Sequence, residues 1–107
     1  MALLADGADV NERNSTFGMT ALWIACQNGH TAIVTSLLAT SASVNAAAGA
    51  YHATPLFIAC HRGHIEIAAK LLAANANVNQ AESDGITPLS IACQHGHTEV
   101  VATARGR

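Results

Sequence analysis

Charge is what this sequence has least of. Asp, Glu, Lys and Arg make up 11% of its 107 residues, well under the roughly 25% of an average soluble domain. None of the four occurs between Arg13 and Arg62. The five basic residues, Arg13, Arg62, Lys70, Arg105 and Arg107, are scattered, and the net charge is −2. Nothing there resembles a phosphate-binding stripe, so no nucleic-acid partner is expected. Long hydrophobic runs are missing as well. Gly, His, Asn, Gln and Ser interrupt the uncharged stretch, no segment approaches the ~18 apolar residues of a span, and no membrane insertion is expected. Three cysteines cannot all pair internally. Free thiols and the lack of a leader pattern point to a reducing, intracellular and cytoplasmic setting. Asn14-Ser15-Thr16 is formally a glycosylation sequon, which that setting leaves unused.

What the chain has instead is alanine and repetition. Half of it is hydrophobic, but 23 residues are alanine, which implies a thin, close-packed core in one domain. The phrase Thr54-Pro55-Leu56-Phe57-Ile58-Ala59-Cys60-His61-Arg62-Gly63-His64 recurs from Thr20 to His30 and from Thr87 to His97. A second phrase keeps the same beat: Leu3-Leu4 with Val10-Asn11, Leu37-Leu38 with Val44-Asn45, and Leu71-Leu72 with Val78-Asn79. Self-similarity at this period marks a stacked repeat array.

Each copy reads as two short helices. Thr20 stands where a helix cap belongs, its hydroxyl able to accept from an unpaired first-turn amide. In the later copies Pro55 and Pro88 follow, at the position where a missing N–H costs nothing. Helix one is expected over about 21–28, closed by Gly29, with Leu22, Ala25 and Cys26 as its packing face. Helix two is expected over about 31–40, with Ile33, Val34, Leu37 and Leu38 on one side. The second unit offers Leu56, Ala59, Cys60, Ile67, Leu71 and Leu72, and the third Leu89, Ala92, Cys93, Val100 and Val101. Neither helix of a pair reaches the ~12–15 residues that make an isolated helix even marginal, so the units must stack. The cysteines, recurring at one position, are all expected to be buried packing residues.

The Thr-Pro-Leu opening, the Gly-His between helices, the paired leucines and the Ala-x-Val-Asn ending resemble the ankyrin repeat over essentially the whole chain. The resemblance implies an all-α solenoid of antiparallel helix pairs, right-handed, each pair followed by a β-hairpin-like finger. It implies one domain: a remnant of a preceding repeat over 1–14, repeats over 15–48 and 49–81, and a truncated repeat over 82–107. It also implies protein recognition on a concave side made from finger tips and first helices, with no catalysis and no cofactor. Three departures stand out. Trp23, Phe57 and Ser90 replace the family's usual bracing His, exchanging polar bracing for apolar area in two units. The fingers after Val10 and Val44 are one residue longer than the one after Val78. The tip glycine is kept at Gly18 and Gly85, whereas His52 takes that place in the middle finger, beside a displaced Gly49.

Two constellations carry other chemistry. Cys60-His61-x-x-His64 and Cys93-x-His95-x-His97 contain zinc-ligand types, but each unit presents a single thiol at a packing position, and no metal is expected. Ser90 with His95 or His97 is the nearest approach to a catalytic pair, with no acid spaced to orient either imidazole, so no catalytic residue is assigned. His30, His64 and His97 follow the turn glycines and are expected to bond backbone carbonyls left open there.

The residues that the repeat does not fix are the candidates for reading a partner protein. They are Ser15, Thr16, Phe17 and Met19 in the first finger, Tyr51 and His52 in the second, and Ser83, Asp84 and Ile86 in the third. Gln27, Asn28, His61, Arg62, Gln94 and His95 join them from the ends of the first helices. Two other functions compete: a structural spacer within a longer array, and a metal- or redox-responsive domain. The chain opens inside a second helix and closes with Arg105-Gly106-Arg107, from which marginal stability and end-to-end self-association through uncapped faces are expected.

Overall fold

The computed structural model describes residues 9–105, with side chains to 103. Among the described residues are six helices and one isolated antiparallel bridge, with no strand. The helices are α1 (Ala21–Asn28), α2 (Thr31–Leu38), α3 (Pro55–Arg62), α4 (Ile65–Ala73), α5 (Pro88–Gln94) and α6 (Thr98–Arg105). Successive helices pair as α1/α2, α3/α4 and α5/α6. The first members α1, α3 and α5 pack side by side in one layer, and α2, α4 and α6 in the other. The all-α stacked architecture is as expected, with α2 ending two residues earlier, at Leu38. The opening Leu3-Leu4 pair lies outside the described residues.

Local chemistry fixes each helix start. Thr20, Thr54 and Thr87 hold extended backbone, and each Oγ1 accepts from the amide three residues on, at 3.1 Å in every unit. Thr20 and Thr54 are almost fully buried, so the cap also spares each hydroxyl oxygen the cost of an unmade bond. The first helices close in the same way three times. The amides of His30, His64 and His97 return to the carbonyls of Ala25, Ala59 and Ala92 at 2.9–3.0 Å, the longer bond of a Schellman closure. That closure requires a left-handed residue, supplied by Gly29, Gly63 and Gly96.

The core runs between the layers. Val34, Leu37, Leu56, Ile67, Leu71 and Leu72 are at most 1% exposed. Alanines, with Cys26 and Cys60, occupy the contacts between first helices, where small side chains let the backbones approach. In the middle unit every residue expected to pack is buried, because α3 and α4 have neighbours on both sides. At α2, Ile33 and Leu38 are only half-buried.

One expectation fails. Cys93 is exposed, unlike Cys26 and Cys60, and Leu89 and Val101 are half-buried. The reason is nearest-neighbour packing: Cys26 faces a row continued by α3 and Cys60 one continued by α5, and among the described residues no helix follows α5 in that layer. The repeat gives Cys93 the right position without the cover. Burial pushes the Cys26 and Cys60 thiols up to about 12.

Two predictions follow from this packing. Native protein should react with a thiol reagent at Cys93 alone, as read by mass spectrometry, and at Cys26 and Cys60 only on unfolding. The raised folded values also set a pH dependence, since unfolded thiols ionise near pH 8.5–9 while the folded ones stay protonated. Their contribution is fully present below that range and is lost as pH rises toward 12, so the urea midpoint should fall there, and fall less in Cys26→Ala/Cys60→Ala. At the turns, Gly29→Ala should destabilise more than Gly63→Ala, although both have φ near +77°. A Cβ on Gly29 would stand 2.8 Å from His64 Cε1, whereas on Gly63 it meets nothing closer than His97 Cε1 at 4.0 Å. Both variants pay about 1–2 kcal/mol for the left-handed backbone, and Gly29→Ala should lose roughly a further 1 kcal/mol by displacing the ring from its hydrogen bond. Equal urea midpoints would contradict this.

Candidate protein-binding groove

The fingers that separate the helix pairs hold their tips by three versions of one plan. In the first, the Asn14 amide donates to Met19 O at 2.9 Å, and Asn14 Oδ1 accepts from the Met19 amide at 3.0 Å. In the third, one residue shorter, the Glu82 amide donates to Ile86 O at 2.9 Å. Glu82 Oε1 there accepts from the amides of Asp84 and Ile86 at 2.7 and 3.1 Å. The middle finger has Ala48 in that place, with no side chain to offer. It closes instead by two backbone bonds between Ala48 and Ala53, each 2.9 Å, which form the isolated bridge. Among the described residues, this finger alone closes with both backbone bonds of a bridge, where the other two replace one of them by a side-chain acceptor. His52 adopts the left-handed conformation at φ 54°, the place of Gly18 and Gly85, and Gly49 adds a second left-handed residue at φ 85°.

Trp23 explains why the middle finger tolerates this. Its indole Nε1 donates to Ala53 O at 2.8 Å, and its ring edge lies where a Cβ on Gly49 would come within 3.0 Å of Cζ2. The exchange of polar bracing for apolar area is therefore only half true. Trp23 is 4% exposed and still braces a backbone carbonyl, one finger further along the chain. Phe57 is buried without such a bond, and Ser90 stays on the surface, bonded to Thr87 Oγ1 at 3.0 Å.

Neighbouring fingers are tied in register. The Gly49 amide donates to Phe17 O at 3.1 Å, and the amide and hydroxyl of Ser83 both donate to Tyr51 O at 2.7 Å. Arg13 Nη1 clamps Gly18 O and Ala47 O at 2.9 and 2.8 Å. Below the fingers, Asn11 Oδ1 accepts from the Ser43 amide at 2.6 Å and Asn45 Oδ1 from the Asn77 amide at 2.8 Å. The turn histidines complete the set. His64 Nε2 and His97 Nε2 lie 3.2 and 3.0 Å from Gln27 O and Cys60 O. A carbonyl only accepts, so each ring carries its proton on Nε2. The expected carbonyl bonding is present, but it reaches back to the last turn of the previous unit's first helix, whereas His30 is exposed.

Between fingers and first helices runs a groove of about 660 Å³. Phe17, Met19, Tyr51, Asp84 and Ile86 line its finger wall, Gln27, His61, Arg62, Gln94 and His95 its helix wall, and Trp23, Phe57, Ile58 and Ile91 its floor. These include ten of the fifteen residues singled out from the sequence. Ser15, Thr16, Asn28, His52 and Ser83 are exposed but do not line it, and Ser83 is spent on Tyr51 O. Among the described residues Phe17, Tyr51 and Ile86 are the large hydrophobic residues left exposed, at 52%, 63% and 36%, and all three sit on finger tips. Along the helix wall the His61 ring stacks on Phe57 with centroids 6.1 Å apart, and meets the His95 ring edge-on at 5.6 Å. His95 in turn stacks on His97 at 5.8 Å. A second hollow, of about 600 Å³ between α4 and α6, is lined by Ile65, Glu66, Ala69, Glu99 and Val100 and offers no aromatic side chain. Among the described residues no three His, Cys, Asp or Glu side chains converge as a metal site. No described helix is long and apolar enough to cross a membrane.

The sequence matches the family model for ankyrin repeats (3 copies) over residues 1–82 and 45–103. The chain belongs to the ankyrin repeat family, whose members are generally protein-interaction modules and typically not catalytic. No curated protein matches it.

The bond from Trp23 to the middle finger can be tested apart from its bulk. Trp23→Phe keeps the ring and leaves Ala53 O without its donor, which should cost about 1–3 kcal/mol. Trp23→Ala should cost about 3–5 kcal/mol. Urea titrations followed by circular dichroism would check both, and a Trp23→Phe variant as stable as the parent would remove the bond from the account.

Proposed function

We propose that the chain is a non-catalytic protein–protein interaction module that holds a partner protein in the groove between its finger tips and first helices, the concave face of the array. The observation that carries this reading is the placement of Phe17, Tyr51 and Ile86, one exposed apolar side chain on each successive finger, all lining one groove. Lone exposed hydrophobics are ordinary, but three spaced along a groove are the kind of patch that a partner covers. Tyr51, His61 and Arg62 add an amphipathic ring and forked donors, the side-chain types that concentrate binding energy at interfaces. A spacer role for the same units within a longer array predicts no such loss on changing the groove. Free thiols and the lack of a described membrane-spanning helix fit the intracellular setting proposed from the sequence.

For a partner captured by the parent chain, the triple variant Tyr51→Ala/His61→Ala/Arg62→Ala should bind at least tenfold more weakly, with its melting temperature little changed, since all three side chains are exposed. Calorimetry would measure both. A control at Glu66→Ala and Glu99→Ala, on the second helices, should leave affinity intact. Equal affinity for the triple variant and the parent would place binding elsewhere.

A further inference from the structure

The charges in the groove narrow the chemistry of what it holds, given the reading above on which this inference rests. Within the groove's lining Arg62 is the one Arg or Lys. It is exposed at the end of α3 and has no hydrogen bond or ion pair among the described residues. Arg13, by contrast, is consumed by two finger carbonyls. On the opposite wall Asp84 is exposed, its carboxylate likewise unpaired among the described residues, while Glu82 spends a carboxylate oxygen on two finger amides. Toward Phe17 the lining carries no Asp, Glu, Lys or Arg at all.

The end of a helix ordinarily repels an anion, because its last carbonyls carry partial negative charge. At α3 two of the last four are occupied. Ala59 O accepts from the Gly63 and His64 amides, and Cys60 O bonds the His97 ring. Arg62 follows His61, whose ring packs on Phe57 and His95, and its unpaired guanidinium sets a full positive charge against the partial negative charge that remains there. Tyr51 and Ile86 line the same groove as Arg62, over the apolar Phe57, Ile58 and Ile91.

We infer that the groove recognises a peptide segment of a partner protein in which a carboxylate side chain, paired with Arg62, adjoins an apolar side chain seated under Tyr51 and Ile86. A guanidinium offers a carboxylate two parallel N–H donors. A phosphorylated residue is disfavoured by count: one cation faces close to two negative charges on the phosphate. A polybasic segment finds one wholly unpaired carboxylate in the lining, at Asp84, since Glu82 already holds two finger amides, and it meets Arg62 as a like charge. The uncharged stretch toward Phe17 selects for uncharged partner residues on that side, since burying an unpaired charge there is costly.

The test is selection of a phage-displayed random dodecapeptide library on the intact chain, followed by titration of a fluorescein-labelled winner. The parent should enrich peptides with Asp or Glu within two positions of Leu, Ile or Phe. Arg62→Glu should reverse the preference toward Lys or Arg, and Arg62→Gln should weaken the winner at least tenfold, both with unchanged melting temperature. Replacing the peptide's acid by its amide should cost the parent tenfold and Arg62→Gln little. Peptides selected with no acid preference and indifferent to Arg62→Gln, yet weakened by Tyr51→Ala, would overturn the carboxylate assignment and leave the groove standing. Binding indifferent to Tyr51→Ala as well, or no peptide selected at all, would count against both. A phosphoserine analogue binding tenfold tighter than the acid would replace carboxylate by phosphate.

Discussion

A helix of seven to nine residues does not survive alone in water, and none of the six described here is longer. The contact between one unit and the next supplies what length does not, and the other features of the molecule serve it. Small residues line the first-helix row so that α1, α3 and α5 approach closely. The hydrogen bonds between units then recur at two sequence offsets: 32 residues for Asn11 to Ser43 and Asn45 to Asn77, and 37 for His64 to Gln27 and His97 to Cys60. Each gives a backbone group a partner from the neighbouring unit. Stability in such an array is a sum over neighbours, so the middle unit is the best packed and its residues are the most completely buried.

This dependence decides which parts of the structure could be read from the sequence. Caps, turns and the periodic core follow from chemistry within one unit, and Thr20, Gly29, Leu37 and their copies do what their local pattern implies. Features set between units were legible only where the repeat itself encodes them. Cys93 carries the same local phrase as Cys26 and Cys60, and its exposure depends on what packs beyond α5. Trp23 was visible as a departure, but its bond to Ala53 O lies 30 residues away. The shared job of Asn14 and Glu82 was hidden because different side chains in fingers of different length cap the same amides. A signal was available: a long acceptor side chain opens both fingers, and the one finger lacking it carries two left-handed residues instead.

The groove shows the same division. Ten residues assigned to it come from positions that the repeat leaves free, which is what a surface unneeded for stacking looks like in sequence. Ser83 was placed among them and is instead a tie between fingers, because an exposed hydroxyl in a loop looks the same whether or not a neighbouring carbonyl lies 2.7 Å away. The floor residues were not assigned: Phe57 stood out only as apolar area in place of a bracing His, and Ile58 and Ile91 belong neither to the periodic packing face nor to the free positions. They are core, and their remaining exposed edges form the groove.

The ties that stabilise the array also hold the groove ready. Phe17, Tyr51 and Ile86 are exposed, and their backbones are fixed: Phe17 O and Tyr51 O accept from the next finger, and the Ile86 amide and carbonyl are both bonded to Glu82. Ordering a loop on binding costs free energy that an already ordered one does not pay again. On the helix wall His61 is sandwiched between Phe57 and His95, so its position follows from packing in α3 and α5. The low charge of the chain then has a functional consequence. With so few fixed charges there is little long-range field to draw in a partner, and on the proposed reading discrimination falls to shape and to Arg62. A lone unpaired guanidinium in a mostly apolar groove adds little affinity while water reaches it. It penalises strongly any partner that buries it without an acceptor.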